Sequence, residues 1–166
     1  MPRVKKLDLG MTALDELFMN DKERAENKLP KIFDMVLNDM IHSCDISSPD
    51  IIIAGSQSGT ISIANANVSM MMTNQYEFLL GIWPDAVILC VNDFDDIDYI
   101  KRTVMFIESS IKCKVIAMII FEGSLKKGDT SLNISELKKC LDKKIYIGHS
   151  GCCINDLVMT IEEFFS

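Results

Sequence analysis

"IIIAGSQSGTISI", Ile51 to Ile63, passes from an unbroken apolar run into glycines and hydroxyl side chains. A strand with one wet face alternates apolar and polar residues, whereas a continuous run marks a strand covered on both faces of a parallel sheet. Ile51–Ala54 is such a run, and Ala86–Val91, Val115–Phe121 and Ile145–Ile147 repeat it.

Helical patterns surround these strands. Pro30 suits a first helical turn, and Ile32, Phe33, Val36, Leu37, Met40 and Ile41 then form an amphipathic stripe. Ser47-Ser48-Pro49 ends it, because the residue before proline is driven out of the helical region. "TNQYEFLLGIW" carries Tyr76, Phe78, Leu79 and Trp83. "DDIDYIKRTVMFIESS" puts Ile97, Ile100, Val104 and Ile107 on one stripe, with Asp93 as the N-cap. "ISELKKCL" is a shorter helix, and "CINDLVMTIEEFF" sets Ile154, Leu157, Val158, Ile161 and Phe165 facing inward. Helices alternating with buried strands predict an α/β domain with a doubly wound, mainly parallel sheet and right-handed crossovers. The first 29 residues form a lead-in with helical spacing at Leu14, Leu17 and Phe18 and then the charged "NDKERAENK". We expect one domain over residues 1–166, with no repeat and no internal boundary.

Composition excludes several classes of function. Apolar residues at 48% and charged residues at 25% fit a globular protein rather than a disordered one. A net charge of −7, with only short, scattered lysine clusters, argues against nucleic acid and anionic membranes as partners. No apolar run is long enough to span a bilayer and no secretory signal opens the chain, so a cytoplasmic location is expected. Six cysteines without a C-x-x-C pair, and only His42 and His149, make a structural zinc site an unexpected feature. Cys90 and Cys113 read as small buried hydrophobes, and Cys152-Cys153 as packing near a helix start.

In such a sheet, ligands bind beyond the carboxyl ends of the strands. Four segments fall there: "GSQSGT", "NDFDD", "EGSLKKGD" and "GHSGCC". Gly55 and Gly59 let backbone N–H groups face an anion, and Ser56, Gln57, Ser58 and Thr60 add polar side chains. The two glycines are four apart and no lysine follows, so the phosphate-loop pattern G-x-x-x-x-G-K-[ST] is not met. Gln57 at the centre also excludes a nucleophile elbow. A polar ligand loop and a plain strand-exit turn both remain open. Asn92 and Asp93 stand at the next strand end, where Asp93, Asp95 and Asp96 read either as Mg²⁺ ligands or as helix-capping acids. His149 is a loop histidine near a helix start, without an assignable acid partner. The methionine-rich "SMMMTNQYEFLLGIW" reads as core or as an adaptable partner surface.

Three segments carry a family resemblance: "PDIIIAGSQSGT", "QYEFLLGIWPDAVILCVNDFDDIDYIKRT" and "KVIAMIIF". They resemble the carboxy-terminal part of a P-loop NTPase-like domain in a bacterial family that includes the D-glutamate N-acetyltransferases. They are also similar to accessory proteins of that superfamily encoded beside clostridial radical-SAM peptide-maturation systems. The resemblance covers Pro49 to Phe121, with a weaker echo in the closing strand and helix, and is best over Pro84–Cys90. The family's first strand here ends in an acidic "EGQGS"-like loop, but Ala54 stands in place of the acid. The family's Walker A strand, loop and helix would precede these segments, and none is legible in this chain.

The resemblance implies a P-loop NTPase-like, Rossmann-like three-layer sandwich without Walker A. Gly55, Gln57, Gly59 and Asn92 are the positions it carries over as ligand contacts. It implies an accessory protein of ribosomally synthesised peptide maturation, not an independent enzyme, that binds a partner or small ligand rather than hydrolysing nucleotide. Its partners would be a peptide-modifying enzyme, a precursor peptide or a second copy of the chain; no cofactor is named. The alternative is a truncated half of an N-acyltransferase or NTPase acting on an amino-acid substrate.

Overall fold

The computed structural model describes residues 3–8, 33–56, 59–61, 70–121, 133–148 and 153–166. The chain divides into two compact units, Met1–Trp83 and Pro84–Ser166.

In the first unit β1 (Val4–Asp8) lies parallel to β2 (Ile51–Gly55), in register from Val4 opposite Ile51 to Asp8 opposite Gly55. A strand therefore precedes Ile51, which corrects the sequence expectation of a mere polar lead-in. "VKKLD" escaped notice because it is short and its two lysines are exposed, as suits a strand that pairs only with β2 among the described residues. The pairing is pinned where the two strands begin. The Arg3 amide donates to Asp50 Oδ2 at 2.6 Å, the Asp50 amide donates to the Arg3 carbonyl at 2.8 Å, and the Arg3 guanidinium lies 3.3 Å from Asp50 Oδ1. The Arg3 backbone and side-chain bonds hold the Asp50 carboxyl below its ordinary value.

α1 (Phe33–Asp45) and α2 (Met70–Ile82) pack against each other, and α1 also packs on β2. Leu37, Phe78 and Leu79 are buried between these elements' apolar sides. Both helices stop by the same means. Ser48 and Trp83 take left-handed φ of 47° and 48°, and each is followed by a proline that cannot extend a helix. Lys112, at φ 58°, turns the chain after α3 in the second unit. Left-handed backbone in a residue with a side chain costs on the order of 1 kcal/mol.

In the second unit β3 (Ala86–Asn92), β4 (Lys114–Phe121) and β5 (Lys144–Ile147) form a parallel sheet in that order. α3 (Ile97–Ser110) and α4 (Ile134–Cys140) make the crossovers, and α5 (Ile154–Phe165) follows β5. Val115, Ala117, Met118 and Ile120 of β4 are each 1% exposed or less, so successive residues are covered on both faces, as the continuous apolar run requires. Ile100, Val104 and Ile107 of α3 are equally buried, in agreement with the predicted stripe. α5 departs from its prediction: Ile154 (56% exposed), Val158 (45%) and Phe165 (55%) face solvent instead of the core. The helix is oriented by polar bonds. Tyr146 Oη and Thr160 Oγ1 are 2.6 Å apart, and Lys144 Nζ reaches Glu163 at 2.6 Å, which rotates the apolar flank outward.

Glu108 ties three elements together. Its Oε1 accepts from the Val115 amide at the start of β4 (3.1 Å) and from Lys143 Nζ before β5 (2.6 Å). Burial pushes its carboxyl up, but the Lys143 and Val115 bonds outweigh burial and hold it below its ordinary value of 4.5. A depressed folded-state value stabilises the protein above about pH 4.5, and that contribution fades as pH falls through the lowered value. Glu108→Gln should cost about 1–2 kcal/mol at pH 7, allowing for partial exposure. In urea titrations the gap between variant and wild type should close under acid.

Candidate functional site

Among the described residues, Gly55, Asn92 and Gly148 stand at the carboxyl ends of their strands or directly after them. β2 ends at Gly55, level with Asp8 of β1. Gly55, Ser56 and Gly59 are exposed, whereas Thr60 is buried. Ser56 Oγ donates to Oε1 of Gln75, a buried residue of α2. Two hydroxyls read as anion donors thus differ in availability: Thr60 is enclosed, and Ser56 braces the loop against α2. Gln57 and Ser58 lie outside the described residues.

Gln75 was not visible as a site residue. It sits inside "TNQYEFLLGIW", where Phe78 and Leu79 supply the buried side while Tyr76 and Trp83 are exposed. In sequence nothing sets it apart from Asn74, the amide beside it on the same helix.

The second edge is built from "NDFDD". The Asn92 amide donates to Asp95 Oδ2 at 2.9 Å, and the Asp95 amide returns to the Asn92 carbonyl at 3.2 Å, closing a tight turn. Asp96, not Asp93, caps α3: its Oδ1 accepts from the Asp98 amide at 3.0 Å. The turn consumes four residues before the helix begins, which moves the cap three positions on. Asp95 and Asp96 are therefore engaged in backbone bonds, and among the described residues no His, Cys, Asp or Glu cluster has the geometry to hold a metal ion.

Gly148 follows β5 and continues the ladder, its amide donating to the Ile120 carbonyl at 2.8 Å. His149, Ser150, Gly151 and Cys152 lie outside the described residues. Cys153 Sγ donates to the Ile147 carbonyl at 3.2 Å and makes no side-chain cap on α5. Desolvation pushes the thiols of Cys90 and Cys113 up, away from the reactive thiolate, although Cys90 reaches the surface rather than being buried as expected. Among the described residues no helix is long and apolar enough to cross a membrane.

The parallel strands and their helical crossovers place the chain in the doubly wound, P-loop-like class of α/β folds. A solved chain of the MinC:MinD cell division protein complex of Aquifex aeolicus matches 93% of this chain and 72% of its own length, with a TM-score of 0.52. Sequence identity is 15%, so this likeness shows the fold alone. No protein-family model matches the chain, and no curated protein matches it in sequence.

The Ser56–Gln75 bond makes a direct prediction. Ser56→Ala should lower stability by about 1 kcal/mol. It should also speed amide hydrogen exchange at Gly55 and Gly59, while leaving exchange in β4 unchanged.

Proposed function

We propose that this chain is an accessory binding protein of ribosomally synthesised peptide maturation, a P-loop-like fold that holds a partner or small ligand and does not hydrolyse nucleotide. The observation that carries this reading is the loop after β2. It has exposed glycines at 55 and 59, no lysine, one hydroxyl braced on Gln75 and one buried at Thr60. Such a loop can present backbone amides to a carboxylate or peptide group, but lacks the charge that holds a nucleotide's terminal phosphates. The resemblance of Pro49–Phe121 to peptide-maturation accessory proteins supplies the process.

Association with another protein is part of this proposal. The structural neighbour is described as a complex between two proteins, and here Trp83 is 62% exposed at the end of α2. An exposed tryptophan is a common anchor of protein contacts. The partner classes are a peptide-modifying enzyme, its precursor peptide or a second copy of this chain.

A second reading, half of an N-acyltransferase or NTPase acting on an amino-acid substrate, is favoured by one feature. β1 ends beside Gly55, so the end of one strand adjoins the glycine loop of the next.

Trp83 is the chain's single tryptophan and reports binding by its own fluorescence. Titration with ATP or GTP and Mg²⁺ should give no saturable change at micromolar concentration. Micromolar nucleotide binding would sink the first reading in favour of the second. A radical-SAM maturase or precursor peptide encoded next to this protein should quench or shift Trp83, and Gly55→Val should weaken that binding about tenfold by filling the space where a ligand approaches backbone.

A further inference from the structure

The geometry points to a second binding site, on the carboxyl edge of the β3–β4–β5 sheet, that takes a planar aromatic group carrying an N–H donor. It is built from one row of residues across three strands: Asn92 at the end of β3, Phe121 at the end of β4 and Gly148 after β5. Asn92 and Phe121 are register partners, and residues paired across a parallel ladder project to the same face, about 4.8 Å apart. Ile119 pairs with Tyr146 and Ile120 with Ile147, so Gly148 continues the row beside Phe121.

The row has a ring, an open position and a polar edge. A Cβ built on Gly148 would lie 3.1 and 3.2 Å from Phe121 Cδ1 and Cε1, so the ring leans over the glycine and rests on its backbone. A methyl group there would make the ring shift by a few tenths of an ångström. Despite this support the side chain remains 48% exposed, an uncommon state for a phenylalanine at the end of a strand whose interior is almost wholly buried. Asn92 is also exposed, and its Nδ2 faces Asp95 at 3.5 Å, which directs Oδ1 away from that carboxylate as an acceptor. A supported, open aromatic face with an amide acceptor one strand spacing away suits a flat ring stacked on Phe121 whose N–H meets Asn92 Oδ1.

Indole side chains of a peptide and nucleobases share this chemistry. The site is built from residues of the second unit alone and uses none of the Gly55 loop, so it goes beyond the function proposed above and does not depend on it.

The test is an NMR titration of isotope-labelled protein with three phosphate-free probes: N-acetyl-L-tryptophanamide, adenosine and N-acetyl-cyclohexylalaninamide. At least one planar probe should shift Asn92, Phe121 and Gly148 saturably, and the saturated ring should not. Phe121→Leu, which keeps apolar bulk without a π face, should weaken binding about tenfold. Asn92→Ala should also weaken binding, as should Gly148→Ala, which displaces the ring without removing it. Should one variant fail to fold, the remaining two carry the same comparison. Binding by the indole alone assigns a peptide source, binding by adenosine alone assigns a nucleoside, and binding by both supports the shared chemistry. The proposal is overturned if no planar probe binds, if the saturated probe binds as well, or if the folded variants bind like wild type. Because no probe carries phosphate, these outcomes are separate from the triphosphate titration.

Discussion

The second unit depends on the pairing of β4 with β3 on one side and β5 on the other. Parallel strands satisfy their backbone groups only by lying between neighbours, and β4 has one on each side. With its backbone satisfied laterally, both of its faces can be covered: α3 and α5 pack on it, and Val115, Ala117, Met118 and Ile120 lose almost all exposure. The polar bonds around it then have defined positions. Glu108 accepts both from the Val115 amide near the start of β4 and from Lys143, the residue preceding β5.

The same ladder explains why exposed residues collect at the strand ends. Within β4 the backbone has a ladder partner on both sides and most of the interior side chains are buried. At the carboxyl edge the ladder stops, and Asn92, Phe121 and Gly148 keep partial exposure. In the first unit the shorter ladder of β1 and β2 ends at Asp8 and Gly55, where the chain turns into the glycine loop. There Gln75 does for Ser56 what backbone pairing does within the strands: it gives a polar group a buried partner.

How much was legible from sequence follows the range of the forces involved. Val115–Phe121 could be read because burial on both faces demands a continuous apolar run, and the α3 stripe because one helix face meets one sheet. Val4–Asp8 could not, because a short strand with exposed lysines carries no apolar signature and exists through a partner nearly fifty residues away. Asp93 was misassigned as a cap because capping residues are recognised by type, while the Asn92–Asp95 turn that delays the helix is recognised only by geometry. The α5 stripe was assigned inward because hydrophobic periodicity shows that an apolar flank exists, not which way it is turned.

The sequence by itself determined the parallel α/β class and the lack of a phosphate-holding lysine in "GSQSGT". These are local properties, written in the spacing and chemistry of neighbouring residues. Only the tertiary structure decided that β1 pairs with β2, that Gln75 braces Ser56, and that Phe121 leans over Gly148 beside Asn92. Each of these joins residues distant in the chain, and such contacts are set by register and packing rather than by local preference.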